Sequence, residues 1–208
     1  ALLIMLTSKV HPDAPAILER VVDSGGAVFF SGEDILAGQE VFLKHGLMDN
    51  GSIWGHGGYL GPDFSAQYLH TLALDVADAI AEARYGEPFD VLGNEDRITV
   101  EALVRAQIKE NRFDAATSTL TLTDGQAESH RRQIGLWADY FAAPGGNGGL
   151  PTQFIPPGEE LEDLTAFFAW AAWASVVNRP GESFSYTNNF PYDPLAGNLP
   201  TGSAVLWS

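Results

Sequence analysis

The chain contains no cysteine, few basic residues and no long uninterrupted apolar run. The missing cysteines remove disulfide bonds and thiol chemistry. Lysines and arginines together number 11, against 27 aspartates and glutamates, so the formal net charge is −16. Nucleic acids and anionic membrane surfaces attract basic proteins. We therefore expect no nucleic acid among the partners of this chain.

The most apolar stretch runs from Leu164 to Val177. It is shorter than the roughly 20 residues that a membrane-spanning helix needs. Four acidic residues precede it closely: Glu159, Glu160, Glu162 and Asp163. We interpret the stretch as a buried helix. The apolar residues 1–6 are also too few to span a bilayer, and no basic region precedes them to mark a signal peptide.

A chain of 208 residues with 45% hydrophobic residues can bury one substantial core. We divide it into an N-terminal extension, residues 1–16, and a single domain, residues 17–208. The last part of that domain, residues 179–208, is rich in proline, asparagine and aromatics and is expected to form an irregular tail. The periodicity of the rest predicts mostly helices with a small β element, an α+β fold.

Local signals predict the individual elements. A β-hairpin is expected from residues 20–23 and 27–30, which flank Ser24-Gly25-Gly26. Capping boxes at Ser31–Asp34 and Thr123–Gln126 each open a helix, the first of which ends near Gly46. Further helices are predicted at 65–85, 99–110 and 159–178, a strand at 117–123 and a loop at 144–149. The helical stripes comprise Leu69, Leu72, Val76, Ile80 and Ala83, then Ala127, His130, Ile134, Trp137 and Phe141.

The five histidines show no spacing typical of a metal site. His56 lies between glycines, where hydrogen bonds to the backbone are favoured over metal binding or proton transfer. His130 falls on an apolar stripe, which predicts a hydrogen-bonded histidine in the core. His11, His45 and His70 form no pattern with one another.

The aromatic residues Phe167, Phe168, Trp170 and Trp173 recur at helical spacing, which is more typical of a core than of a cofactor site. No pair of carboxylates stands out as an acid/base dyad. Nucleophile motifs and phosphate-binding loops are also absent from the sequence. The residues alone therefore do not make this chain a catalyst.

The most unusual segment is residues 46–64, where glycines accompany aromatic residues and one histidine. Glycine permits positive φ and close approach of other groups to the backbone, so an ordinary tight loop is one interpretation. Its second half, Gly55-His-Gly-Gly-Tyr-Leu-Gly-Pro-Asp63, is similar to the loop that follows the Cys-x-x-Cys-His haem attachment in the cytochrome c subunit of two-subunit nitric oxide reductases. The attachment positions correspond here to 47–51, with Leu47 and Asn50 for the cysteines and Gly51 for the axial histidine.

Further segments extend this resemblance over most of residues 17–208: Gly38–Phe42, Phe64–His70, Phe168–Trp173, Arg179–Gly181, Ser185–Tyr192 and Gly197–Asn198. The weakest region is about 86–122. The chain thus resembles the soluble N-terminal domain of quinol-dependent nitric oxide reductases, a cytochrome c-like domain that lacks haem. Without a thiol, covalent attachment of c-type haem is excluded.

The resemblance implies a parent enzyme of denitrification that reduces two NO to N2O with electrons from quinol. Its haem b, haem b3 and non-haem iron belong to a transmembrane catalytic domain of the same polypeptide. This domain would lie at the periplasmic face of the bacterial inner membrane, between two membrane helices, as a haem-free structural cap that relays no electrons. In the family, hydrophobic side chains fill the former haem pocket, and no catalytic or cofactor-binding residue is expected in this chain.

The resemblance also implies a candidate calcium site. In the cytochrome-subunit relatives, backbone carbonyls of this loop help to ligate calcium. By position these are the carbonyls of Gly57 and Tyr59, and the other ligands would lie outside the chain, so that calcium binds only in the complete enzyme.

Two alternatives stay open at this point. The chain could be a stand-alone periplasmic binding module on the same haemless scaffold, with a partner surface in its tail formed by Tyr186, Asn188, Asn189, Phe190 and Tyr192. An independent acidic hydrolase is the third interpretation, but it needs two carboxylates in one cleft, and the sequence does not identify them.

Overall fold

A computed structural model describes residues 14–200 and Gly202. Residues 14–200 form six α-helices, one short 3-10 helix and six short strands. In chain order these are β1 (Arg20–Val22), β2 (Val28–Ser31), α1 (Gly32–Lys44), α2 (Leu47–Asn50), β3 (Ser52–Ile53), β4 (His56–Gly57), α3 (Phe64–Tyr85), the 3-10 helix (Phe89–Val91), α4 (Asn94–Lys109), β5 (Phe113–Asp114), β6 (Thr119–Thr121), α5 (Asp124–Ala142) and α6 (Glu159–Val176). The predicted mainly helical α+β fold is confirmed.

The helix starts follow from their caps. Both predicted capping boxes are present: Asp34 N donates to Ser31 Oγ at 3.3 Å, and Thr123 N donates to Gln126 Oε1 at 2.9 Å. Such reciprocal bonds satisfy backbone donors that have no partner within the helix. Helix α3 ends at Gly86, whose φ of 73° is the left-handed conformation that glycine adopts without strain.

Three predicted elements differ in extent from those of the structure. Helix α4 begins at Asn94 instead of 99, because its first turn is polar and carries no apolar periodicity. The acidic Glu95 and Asp96 in that turn suit the positive end of the helix dipole. Strand β6 is shorter than predicted, and α6 ends at Val176 instead of 178.

The four-stranded sheet has the order β2-β1-β6-β5. Strands β1 and β2 form the predicted antiparallel hairpin, with Val21 opposite Phe30. Strand β1 also pairs in parallel with β6, which places Val21 beside Leu120. The inner side chains of this sheet, Val21, Phe30 and Leu120, are buried against the helices.

Helix α6 forms the centre of the domain. Its residues Leu164, Phe168 and Ala172 are fully buried, and helices α1, α3 and α5 pack around it. The interpretation of 164–177 as a buried helix is confirmed. None of the helices in the described part of the chain is both long and apolar enough to cross a membrane.

The α1–α6 contact depends on Gly38. A Cβ atom there would clash with the backbone oxygen of Asp163 and lie 2.9 Å from Phe167 Cβ. The two helices can therefore approach this closely only because residue 38 has no side chain.

We predict that Gly38→Ala lowers the free energy of unfolding by roughly 1–3 kcal/mol, since both helices must shift to admit the methyl group. The matched control is Gly135→Ala on α5, where an added Cβ meets nothing within 4 Å. That control should instead be stabilising by about 0.5–1 kcal/mol, from helix propensity alone. Urea denaturation of both variants measures the difference, and equal effects would contradict the proposed helix contact.

Candidate functional site

Residues Leu47 and Asn50 of the predicted attachment segment are buried in the core. Gly46, with φ of 61°, turns the chain after α1 so that the short helix α2 follows at once. Leu47 is fully buried and Asn50 is 5% exposed. Both side chains thus occupy interior positions.

Position 51 cannot hold a side chain unless its neighbours shift. A Cβ atom on Gly51 would clash with the backbone oxygen of Pro62 and lie 2.6 Å from Phe64 Cε2. Phe64 itself is fully buried and stacks on Phe168, with ring centroids 4.8 Å apart and an interplanar angle of 6°. A histidine at position 51 would have to displace this stacked ring.

Further rings surround this pair. Seven aromatic residues from helices α1, α3, α5 and α6 pack together, and we call them the aromatic cluster: Phe42, Phe64, Trp137, Tyr140, Phe141, Phe167 and Phe168. Trp137 lies 4.9 Å from Phe168 and 5.6 Å from Phe64 between ring centroids. Such pairs add about 0.5–1.5 kcal/mol each beyond the burial of their area. Aromatic side chains therefore fill the space behind Gly51.

The predicted core positions on α6 are largely confirmed. Phe167, Phe168 and Trp173 are buried, while Trp170 is half-buried and donates its indole N–H to Ala16 O at 2.9 Å. No sequence signal indicated the role of Phe64. That residue is the first of its helix and lies outside the periodic stripe of α3.

Asn50 connects three segments of the site. Its Nδ2 donates to Gly148 O at 3.0 Å and to Asn147 O at 3.3 Å, and Tyr140 Oη donates to its Oδ1 at 3.3 Å. Its backbone oxygen accepts from Leu60 N and Gly61 N at 3.0 and 2.6 Å. Asn50 therefore joins the glycine-rich loop at Leu60 and Gly61 to the loop at Asn147 and Gly148.

The carboxylate of Asp63 shapes the rest of the glycine-rich loop. It accepts hydrogen bonds from Ser52 Oγ, Gly55 N, Ser65 Oγ and Ala66 N at 2.8, 2.6, 2.5 and 2.8 Å respectively. The last of these caps α3, while the first two hold the β3–β4 hairpin. One side chain thus sets the path of the loop relative to the helix.

This loop presents apolar side chains to the solvent. Tyr59 is 88% exposed, Leu60 75% and Met48 45%. We name these three residues the apolar tip. Met48 O accepts from Gly58 N at 2.6 Å, so the two parts of the tip are held together by the backbone.

The loop also carries the carbonyls of Gly57 and Tyr59 and the exposed side chain of His56. Among the described residues, no three or more histidine, aspartate or glutamate side chains come together as a metal site would require. Calcium takes six to eight oxygen ligands, more than two carbonyls supply. Calcium binding at Gly57 and Tyr59 stays a prediction that needs ligands from elsewhere.

The other histidines have individual partners. His130 is buried, with its Nδ1 2.8 Å from Tyr68 Oη, as predicted for a core histidine. Burial, aided by the charge of Arg131, lowers the pKa of His130 to about 4. His70 Nδ1 lies 2.9 Å from Asp193 Oδ2, and His45 Nε2 lies 3.3 Å from Glu160 Oε2. His11 is outside the described residues.

The tail packs on the domain more closely than the sequence suggested. Ser185, Asp193 and Asn198 are buried. Lys109 Nζ donates to Asn189 Oδ1 at 2.7 Å and to Asn198 Oδ1 at 2.6 Å, which fastens the tail to the end of α4.

The partner surface hypothesised in the tail is therefore smaller than expected. Tyr186, Asn189 and Phe190 are half-buried, and only Asn188 and Tyr192 of the five hypothesised residues are exposed. Tyr186 packs against Trp173, with ring centroids 5.8 Å apart.

The mainly helical fold with its small sheet, in a chain without cysteine, fits a haem-free cytochrome c-like domain. The family model for the cytochrome c-like domain of nitric oxide reductases of the NorB type matches residues 18–192, and the chain belongs to this family. No curated protein sequence matches the chain.

The buried neutral His130 predicts a specific pH dependence. Its pKa is about 4 when folded and about 6.5 when unfolded, so between these values the unfolded state binds more protons. The resulting stabilisation, roughly 3 kcal/mol, is complete above pH 6.5 and is lost as the pH falls towards 4. His130→Asn keeps an acceptor for Tyr68 and should lose less stability than the unaltered chain over this range.

Urea denaturation at pH 7, 5.5 and 4.5 measures this effect. The control His56→Asn makes the same substitution at an exposed histidine and should keep the pH dependence of the unaltered chain. If the free energy of unfolding changed equally with pH in the His130→Asn variant and the unaltered chain, the claim that His130 is buried in its neutral form would be contradicted.

Proposed function

We propose that the chain is the periplasmic, haem-free domain of a quinol-dependent nitric oxide reductase. The parent enzyme reduces two NO, with two electrons from quinol and two protons, to N2O and water. Its haem b, haem b3 and non-haem iron belong to the transmembrane domain of the same polypeptide. The haem-free domain covers the periplasmic face of that catalytic domain. Membership of the NorB-type family is the starting point for this proposal.

The domain acts as a structural cap and not as an electron relay. A relay needs a redox group, and in the cytochrome relatives that group is a haem. Here the aromatic cluster occupies the interior behind Gly51, and no cysteine is available for attachment. A quinol that delivers electrons from within the membrane makes such a relay unnecessary.

The observation that carries the docking part of the proposal is the apolar tip. Tyr59 and Leu60 are the two most exposed of the large hydrophobic residues described. They stand on a loop that Asn50 and Asp63 hold in place, so little conformational entropy is lost when a partner covers them. Apolar surface gains about 25 cal/mol per Å² when it is removed from water. The tip is therefore suited to contact the catalytic domain.

The calcium hypothesis follows from the same docking. The carbonyls of Gly57 and Tyr59 belong to the loop that carries the tip. Once the tip is docked, the missing oxygen ligands would come from the catalytic domain. The chain's own part in such a site is limited to orienting these two carbonyls.

The division of the chain fits this arrangement. We propose that residues 1–16 lead from one membrane helix into the domain and that the tail, 179–208, leads to the next. Lys109 donates hydrogen bonds to the tail near its middle. This contact shortens the free part of the tail and keeps the domain close to the membrane-spanning part of the parent enzyme. The alternative of a stand-alone binding module is weaker, because the tail that would form its partner surface is mostly packed.

A double variant of the tip tests the cap. Tyr59→Ser with Leu60→Ser should leave the thermal stability of the 208-residue chain unchanged, since both side chains are exposed. In the complete reductase the same variant should lower the temperature at which the haem absorbance is lost, because the docked contact is weakened. Thermal scans of both proteins, followed by absorbance and circular dichroism, measure these effects.

The control is Val91→Ser with Ile98→Ser, which changes two residues 60% and 57% exposed that lie beyond the far end of α3. It should behave like the unaltered reductase. A tip variant indistinguishable from this control in the complete enzyme would refute docking through the tip.

A further inference from the structure

A small cavity lies on the side of α6 away from the aromatic cluster. Its volume is about 40 Å³. One wall is formed by one face of α6 and the residue that follows the helix: Ala169, Trp170, Trp173, Val176 and Val177. The other walls are formed by Tyr68 and Leu72 of α3, Ile108 of α4, and Phe30 and Leu120 of the sheet, together with Leu18, Leu122 and Gln126.

The walls are almost entirely apolar, and their polar groups are largely engaged. Tyr68 Oη is hydrogen-bonded to His130 Nδ1 at 2.8 Å, and Trp170 Nε1 donates to Ala16 O at 2.9 Å. Gln126 accepts from Thr123 N as part of the α5 capping box. These groups are held by the fold and do not need an occupant of the cavity.

Trp173 is the exception. It is 8% exposed and lines the cavity, and its indole N–H has no hydrogen-bond partner among the described residues. No other described residue of the cavity wall has a buried side-chain polar atom without a partner. A buried donor without an acceptor normally costs about 1–3 kcal/mol, so its presence beside an open volume is informative.

The size and chemistry of the cavity restrict what it can hold. About 10–15 Å³ suffices for one water molecule, but a buried water needs two to four polar partners, more than a single orphaned donor. Aromatic ligands such as benzene need a cavity of roughly 150 Å³. A diatomic gas is small and largely apolar, and it therefore fits the volume and the mostly apolar walls.

We propose that this cavity is a binding site for one small apolar gas molecule, of the diatomic class that includes nitric oxide. The gas lies between α6 and the small sheet, against the indole of Trp173. The strands of that sheet are only two to four residues long, so local opening of the sheet gives access without unfolding of the domain. The existence of the gas site does not depend on whether the domain acts as a structural cap. The choice of nitric oxide as the relevant gas rests on the proposed function.

Xenon is the first probe, because it occupies apolar cavities without chemical reaction. We expect xenon at increasing pressure to shift the NMR signals of the Trp173 indole N–H and of the Leu72, Ile108 and Leu120 methyl groups, and the shifts to saturate. Ala169→Val adds two carbons to the cavity wall and should abolish the saturable shifts. Ala138→Val makes the same change at a half-buried position of α5 outside the cavity and should retain them.

Nitric oxide is the second probe. Because it is a radical, dissolved nitric oxide under anaerobic conditions should broaden the same cavity signals several-fold more than signals of equally buried residues in the aromatic cluster. The broadening should likewise disappear in Ala169→Val.

Several results would overturn the proposal. They are xenon shifts that follow solvent exposure without saturating, saturable shifts that persist in Ala169→Val, and magnetisation transfer from a bound water to the Trp173 indole. Saturable xenon binding with no selective broadening by nitric oxide would reject the assignment to diatomic gases. None of these results bears on docking by the tip, which the complete reductase tests separately.

Discussion

The stacking of Phe64 on Phe168 is the contact on which the rest of this domain depends. It joins the start of α3 to the middle of α6, and rings from α1 and α5 pack around it. The same contact fills the space beside Gly51 that a side chain at position 51 would need. The interior is therefore stabilised by aromatic packing.

The two sides of α6 contact different parts of the domain. Phe167 and Phe168 belong to the aromatic cluster, which supports the loop through Tyr140 and Asn50. That loop in turn carries the exposed apolar tip. On the other side, Ala169 and Trp173 border the small cavity beneath the sheet. A single buried helix thus links the aromatic cluster, the apolar tip and the gas site that we propose.

Local sequence signals predicted the features that depend on residues close to one another in sequence. The two capping boxes, the hairpin around Gly25 and the core position of His130 each depend on residues close in sequence, and the structure confirms them. The parallel pairing of β1 with β6 and the packing of the tail on Lys109 join segments about 80 to 100 residues apart, which periodicity does not encode. The assignment of attachment positions to 47–51 is a prediction from resemblance, whereas the part played by Phe64 and the cavity beside Trp173 emerged only from tertiary contacts.

The most direct test of the account restores the attachment motif. The triple variant Leu47→Cys, Asn50→Cys, Gly51→His would be produced together with a c-type haem attachment system, and its mass, haem absorbance and unfolding transition measured. We predict that any chain that gains a covalent haem loses the cooperative unfolding transition of the unaltered domain, because the haem and the histidine must displace Phe64 and its neighbours. A haem-bearing variant that folds with unchanged stability would contradict the claim that aromatic side chains fill the haem space.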